Sequence, residues 1–423
     1  MPGYGWIYFL LRMVLPVKPA YEVILILQLV LSAVSVYFLA LTARMIFKSD
    51  RLFYFVFFCY LFSTYVSIFD IYLLTESFAT SSSIFGLYFL LLALHRDKKS
   101  LLIPSGLFFS WVIFLRPVYA PYLAICGFCI LFYKSGFFKS YLTRIKWLFI
   151  FLLPFLLFDS IWIFRNYQTH NRFIPLTKVF YGYQLEEIPY HEFLLFLQSW
   201  GGNYIYWDPD AEVRWFGIKG ERFNVNWIND KPISLPTYIY TSAFNEDSLL
   251  IVKNMLEELF SDTIARDNFQ DISQKLKLKL VTYTESIRKE KPYLFYVKSR
   301  LINMQRYVMH NGTYNLMKVS WSNLSLLKKG IKLIYAGLYV LTLCFGAIGI
   351  VLLVSIRRTV PGLILVMITL FGLVVFPFFL RLIEMRYFVP TYPYMLVCAM
   401  FALNYGLEKF SNKGRNGYSS SIP

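Results

Sequence analysis

Charged residues are scarce in this chain of 423 residues. Asp, Glu, Lys and Arg make up 16% of it, against about 25% in ordinary soluble domains. Hydrophobic residues make up 57% and the mean hydropathy is +0.51. The few charges are clustered, so they leave uninterrupted apolar runs long enough to cross a bilayer. This pattern excludes an ordinary soluble domain and predicts an all-α polytopic membrane protein.

Cysteine and histidine are also rare, and neither forms a recognisable site. The five cysteines all fall in apolar runs, where no disulfide framework of a secreted domain is expected. The four histidines show no metal-ligand spacing. The sequence therefore assigns no metal ligand and no cofactor, and it leaves the use of a divalent metal open.

The apolar runs predict nine transmembrane helices. We expect them near residues 22–47, 52–69, 71–94, 101–116, 118–133, 147–164, 331–355, 360–380 and 387–405. The breaks Arg116-Pro117 and Ala120-Pro121 lie between the fourth and fifth runs, and they predict a short helical hairpin.

Basic residues collect in alternate loops, and this asymmetry predicts the orientation. One set of loops holds 14 Lys or Arg and three acids, so we assign it to the cytoplasmic side. The opposite set includes the block 165–330, in which 21 basic and 17 acidic residues nearly balance. That distribution explains much of the net charge of +17 through topology rather than through binding of nucleic acid.

The resulting domain prediction has four parts. A membrane region of six helices covers 1–164, and a mostly helical external domain covers 165–330. A second membrane region of three helices covers 331–408, and a basic cytoplasmic tail covers 409–423. The large loop is expected to be external, and the bilayer is an expected partner.

Four charged clusters fall on the predicted external side. Ionisable groups beside hydrocarbon are costly unless they pair or serve a site. An arginine binds a phosphate bidentately, and a carboxylate accepts the proton of an attacking hydroxyl. The clusters thus suit a reaction with a lipid-linked phosphate as leaving group, although ordinary pairing at the headgroup level also accounts for each cluster singly. The clusters supply two candidate catalytic acids, Asp70 and Glu76, and four candidate ligands of the donor phosphate, Arg116, Arg165, Arg381 and Arg386. Glu384, Tyr387 and Asn166 are the candidate supporting residues.

The order of these motifs resembles a known family. The motifs are Leu74-Thr-Glu-Ser-Phe78, Leu115-Arg-Pro117, the run from Trp162 to Pro175, and Glu384-Met-Arg-Tyr387 followed by two prolines. In this order they resemble the bacterial relatives of protein O-mannosyltransferases and the lipid A aminoarabinose transferases, which are membrane glycosyltransferases of the GT-C superfamily. The resemblance extends from about residue 2 to residue 405, and it implies that the protein is located in the bacterial inner (plasma) membrane.

The resemblance implies a GT-C helical bundle that moves a sugar from a polyprenyl-phosphate donor to an external lipid, glycan or protein acceptor. It implies that Glu76 matches a family acid. Arg116, Arg165 and Arg386 match positions near the lipid phosphate, and Glu384 and Tyr387 would orient those arginines.

One departure from the family concerns its principal acid, which lies in a first external loop after a first transmembrane helix. Here no Asp or Glu precedes Glu22, and no signal peptide is recognisable. The predicted topology also places the amino terminus outside. We therefore expect a first helix and a first external loop to be missing from this chain. Either the start of the sequence is assigned too late, or the chain is a fragment, or it is a degenerate family member that binds without catalysing.

Two functions of other classes stay open at this point. One is a transporter or flippase of lipid-linked or anionic solutes, although the sequence lacks the repeats typical of transporters. The other is a noncatalytic protein derived from the enzyme.

Overall fold

We describe the protein from a computed structural model. It describes residues 2–133, 141–176, 189–202, 236–259, 266–317, 319, 321–356, 359–381 and 384–418. Within these residues the regular structure is helical, and no strand is present. The all-α prediction is confirmed for them.

Fourteen helices organise the described residues, joined by short helical turns. In chain order they are α1 (Pro2–Arg12), α2 (Val17–Phe47), α3 (Asp50–Leu61), α4 (Thr75–Arg96), α5 (Leu102–Leu115), α6 (Ala120–Phe132), α7 (Tyr141–His170), α8 (Tyr190–Trp200), α9 (Glu246–Leu259), α10 (Arg266–Glu290), α11 (Ser299–Met309), α12 (Leu326–Ser355), α13 (Val360–Leu370) and α14 (Tyr392–Tyr418).

Six helical stretches in the described part of the chain are long and apolar enough to cross a membrane, and two further apolar helices are shorter. The protein is therefore a multi-pass membrane protein. The six long stretches are Val17–Phe47, Asp50–Ile71, Thr75–Arg96, Tyr141–His170, Leu326–Ser355 and Val360–Phe379, and the shorter ones are Lys99–Leu115 and Pro117–Phe132.

The helices differ in length from the predicted runs. The helix expected at 147–164 extends from Tyr141 to His170, so it continues past the predicted domain boundary. The last helix begins at Tyr392 and ends at Tyr418, so residues 409–418 of the predicted tail are helical. Residues 419–423 lie outside the described residues. The predicted hairpin is present, because α5 ends before Arg116-Pro117 and α6 begins at Ala120.

The chain divides into two compact units. Unit 1 comprises 1–178, 311–373 and 385–423, and unit 2 comprises 179–310 and 374–384. The external domain was predicted at 165–330, so the two divisions differ at both ends. Unit 2 is built around an apolar cluster from α8, α9, α10 and the segments next to them, which includes Phe196, Trp200, Phe244 and Tyr283.

Helix α4 lies at the centre of unit 1. It packs against α2 and α5, and 83% of its most apolar stretch is buried. Helix α12 packs along α14 through glycine, since a Cβ at Gly349 would overlap the Cys398 carbonyl. By contrast, a Cβ at Gly337 on the same helix would meet nothing within 4 Å. Glycine at 349 is therefore required for this close helix approach.

Candidate functional site

A carboxylate lies buried at the start of the central helix. Glu76 occupies the first turn of α4 and is 1% exposed. The preceding Leu74 is extended and begins the helix without a side-chain cap. The free N–H groups of a helix N-terminus favour negative charge, so this position suits an acidic side chain.

The first guanidinium group beside it comes from Arg116, at the end of α5. The proline that follows Arg116 disfavours helical geometry, and the arginine backbone is extended, with φ −149° and ψ 97°. Its Nη1 donates to Oε1 of Glu76, and the two side chains are 5% and 1% exposed. The break after α5 thus directs the Arg116 guanidinium into the interior of unit 1, where it forms a buried ion pair.

A second guanidinium group reaches the same carboxylate oxygen from far along the chain. Arg386 lies in the 3₁₀ turn Met385–Tyr387, and its Nε is 3.8 Å from Oε1 of Glu76. Its side chain is 22% exposed. One carboxylate is therefore shared by two guanidinium groups, so these three side chains have a net positive charge.

The ring of Tyr387 connects the two arginines. Its centroid is 4.8 Å from Cζ of Arg116 and 5.9 Å from Cζ of Arg386. The hydroxyl of Tyr119 donates to the carbonyl of Tyr387 at 2.9 Å. Cations are attracted to the face of an aromatic ring, so Tyr387 stabilises both guanidinium groups at this place.

Two other tyrosines hold the chain on either side of Arg386. The Tyr65 hydroxyl donates to the carbonyl of Met385 at 3.2 Å. The hydroxyls of Tyr122 and Thr391 are hydrogen-bonded at 2.7 Å. These contacts anchor segment 385–391 to distant parts of unit 1, and they set the position of Arg386.

Asp70 lies in the 3₁₀ turn Ile68–Ile71, shortly before α4, and is 2% exposed. Its Oδ1 accepts a hydrogen bond from the hydroxyl of Ser77, the residue after Glu76. Within the residues that the structure describes, Asp70 forms no ion pair with an arginine. The two carboxylates therefore differ: Glu76 contacts guanidinium groups and Asp70 contacts a neutral hydroxyl.

An amide within the second helix holds the Asp70 loop in place. Nε2 of Gln28 lies 3.5, 3.3 and 2.8 Å from the carbonyl oxygens of Phe69, Asp70 and Tyr72. Its Oε1 accepts from the Tyr4 hydroxyl at 3.1 Å. The sequence analysis missed Gln28, although a lone amide in the apolar run 23–31 was an available signal.

The structure thus brings together Glu76, Arg116, Arg386 and Tyr387, with Asp70 on the adjoining loop. We call Glu76, Arg116 and Arg386 the charged triad. The predicted residues Arg165 and Asn166 are elsewhere in unit 1. Arg165 is exposed on α7 and donates to Asn166 Oδ1 at 3.0 Å, with its Cζ 5.0 Å from the Trp162 ring.

Asn166 is buried and donates to the carbonyl of Ile174 at 3.2 Å. Among the described residues, Arg165 forms no ion pair. These contacts give Asn166 a structural role: it ties the end of α7 to the chain that follows it.

Two other predicted residues belong to unit 2. The guanidinium of Arg381 lies 4.5 Å from the ring centroid of Phe295, and its carbonyl is 3.5 Å from Nε2 of Gln198. Glu384 is buried, with 5% exposure. The sequence cluster 381–387 is therefore divided, because Arg386 and Tyr387 belong to unit 1.

Comparisons with protein families, with curated proteins and with solved structures found no match to this chain. Functional inference accordingly depends on the chemistry of the charged triad and on the sequence motifs that contribute its members.

Proposed function

We propose that this protein is an integral membrane glycosyltransferase of the GT-C kind, which moves a sugar from a polyprenyl-phosphate donor to an external acceptor. The observation that supports this proposal most is the charged triad. Two guanidinium groups share one buried carboxylate at an end of the apolar helix α4. A phosphate on a lipid is an anion held at the edge of the hydrocarbon, and it suits such a site.

The charged triad has two roles in the proposed reaction. An acceptor hydroxyl oxygen forms a bond to the anomeric carbon of the sugar. The bond from that carbon to the phosphate oxygen breaks, and the polyprenyl phosphate departs with the electron pair. Arg386 and Arg116 stabilise the charge that develops on the leaving phosphate. Glu76 orients the two guanidinium groups.

The hydroxyl proton needs a general base, and a carboxylate can accept it. Asp70 suits this role better than Glu76, because its contact is the neutral hydroxyl of Ser77 rather than two cations. Asp70 and Glu76 thus keep the catalytic assignment from the sequence, with different duties.

The proposed topology has nine crossings. They comprise the six long apolar stretches, the two shorter helices of the hairpin and the apolar first part of α14. The distribution of Lys and Arg supports an external position for 165–330 and for the charged triad. We propose the bacterial inner membrane as the location.

The experiment is sugar transfer in proteoliposomes that contain the purified full chain. Donors are polyprenyl phosphates with a radiolabelled sugar, and acceptors are lipid, glycan and peptide pools. Arg386→Gln should lower the transfer rate by about 10²–10³-fold, the usual effect of removing a donor that stabilises transition-state charge. Arg386→Lys should restore part of the rate, because it keeps the charge but loses the guanidinium fork.

Arg51→Gln is the matched control, since Arg51 is exposed at the other end of the membrane helices. Transfer by the Arg51 variant should equal that of the unmodified protein. Equal transfer by the Arg386→Gln variant would contradict the site assignment. Donor binding without transfer by the unmodified protein would favour a noncatalytic role, and movement of intact donor across the vesicle membrane would favour a transporter.

A further inference from the structure

A cavity of about 550 Å³ lies far from the charged triad, at the turn between α2 and α3. The last turn of α4 completes its wall. The lining side chains are Leu41, Arg44, Met45, Lys48, Asp50, Tyr88 and His95.

The turn that forms this cavity is tight and locally well supported. Lys48 ends α2 in a left-handed conformation, with φ 55°, and its N–H donates to the carbonyl of Arg44 at 2.7 Å. Ser49 then caps α3, its hydroxyl accepting from the N–H of Leu52 at 3.3 Å. These two caps set the directions in which Arg44 and Lys48 leave the helix.

The charges around the cavity are mainly positive. Its lining has three basic side chains, Arg44, Lys48 and His95. The one carboxylate of the lining, Asp50, lies 2.7 Å from Nε of Arg44. Basic groups at helix C-termini also complement the helix dipole, but that effect does not explain a cavity beside them.

A mainly basic lining suits an anion, and the position of the cavity indicates which kind of anion. Three apolar stretches, Val17–Phe47, Asp50–Ile71 and Thr75–Arg96, have one end at this cavity. These ends lie where hydrocarbon gives way to headgroups. Leu41, Met45 and the half-buried Tyr88 supply an apolar part of the wall, and tyrosine is typical of this depth.

The cavity is distinct from the charged triad. Glu76 and His95 lie in the first and last turns of α4, and the rise of an α-helix separates them by about 28 Å. That distance is close to the thickness of the hydrocarbon core, about 30 Å. The two sites therefore lie at opposite ends of the apolar helix α4.

We propose that this cavity binds an anionic phospholipid, with its phosphate at Arg44, Lys48 and His95 and its glycerol and upper acyl chain against Leu41 and Met45. Basic pockets between membrane helices suit such headgroups. This binding is independent of the glycosyltransferase proposal.

The test is a titration of the purified full chain in detergent with short-chain phosphatidylglycerol, and bound lipid is counted by native mass spectrometry. Phosphatidylcholine is titrated in parallel. The variant Arg44→Gln/Lys48→Asn removes two charges from the cavity, and asparagine tolerates the left-handed backbone at position 48. The matched control is Arg51→Gln/Arg96→Gln, which removes two exposed charges from the same level outside the lining.

The unmodified protein should prefer phosphatidylglycerol to phosphatidylcholine. The cavity variant should lose about tenfold more affinity for phosphatidylglycerol than the control. Equal thermal midpoints of the two variants would show that a folding defect does not cause the difference in affinity.

Equal losses of affinity in the two variants would overturn the proposal in favour of diffuse surface attraction. Equal affinity of the unmodified protein for the two lipids would also overturn it. In the last experiment, sodium phosphate is added without lipid. If it raises the thermal midpoint through Arg44 and Lys48 while phosphatidylglycerol does not bind, the cavity is a free-phosphate site and the lipid assignment is wrong.

Discussion

Removal of single members of the charged triad should destabilise the protein unequally. The perturbations are Glu76→Met, Arg116→Met and the double variant. Loss of one partner of a buried ion pair costs about 3–5 kcal/mol, because the remaining charge stays buried without its counter-ion. Glu76→Met should reach the upper part of that range, because Arg116, whose side chain is 5% exposed, loses its carboxylate.

Arg116→Met should cost less, because Glu76 keeps a second cation. At the observed 3.8 Å between Arg386 and Glu76, two unit charges attract by about 4 kcal/mol at an effective dielectric constant of 20. Solvent at the 22% exposed Arg386 side chain reduces the net benefit. The remaining attraction should place this variant near the lower end of the range.

The double variant should cost less than the sum of the single variants. Once both charges are gone, two apolar side chains of similar length fill the space, and such exchanges are often near neutral. We expect a coupling energy of about 2–3 kcal/mol, the upper part of the range for residues in direct contact.

The assay is unfolding of the purified chain in mixed micelles of mild and denaturing detergent, followed by tryptophan fluorescence. Arg44→Met is a control for the loss of an exposed paired cation, and it should change stability by less than about 1 kcal/mol. Additive costs of Glu76→Met and Arg116→Met would refute the reasoning, since they would mean that the two buried groups do not interact.

Three further predictions concern packing and polar contacts. Gly349→Ala should cost about 1–3 kcal/mol in the same unfolding assay, because the added methyl overlaps a carbonyl of α14, whereas Gly337→Ala in open space should be neutral or stabilising. Gln28→Met should leave buried carbonyls without their donor and cost about 1–3 kcal/mol, with faster hydrogen exchange in the loop before α4 as the second readout. Hydrogen bonds from Ser242 lower the pKa of Glu290 in the folded state, so the stability that they contribute is present at neutral pH and is lost as pH falls through that lowered pKa. Glu290→Gln should therefore flatten the acid side of the stability profile of unit 2, and an unchanged profile would contradict this assignment.

The membrane character of the chain was predictable from its sequence. Whether a helix can cross a bilayer depends on the length and apolarity of its run of residues, and both are local properties. The break between α5 and α6 was predictable for the same reason, because Arg116-Pro117 disfavours helical geometry within the run itself.

The individual charged residues were also visible in the sequence, because ionisable groups are conspicuous among apolar runs. The sequence predicted that Glu76, Arg116 and Arg386 share a function. It predicted the same for Arg165 and Arg381, whose guanidinium groups lie beside the rings of Trp162 and Phe295. Their part in the site stays a prediction.

Tertiary structure alone decided which charges meet. The pairing of Glu76 with Arg386 depends on contacts across some 300 residues of chain, made by Tyr65, Tyr119 and Tyr122. No local pattern encodes such contacts, because they depend on how distant helices pack. The sequence by itself determined that apolar helices carry charges at their ends, and packing determined that three of these charges form one site.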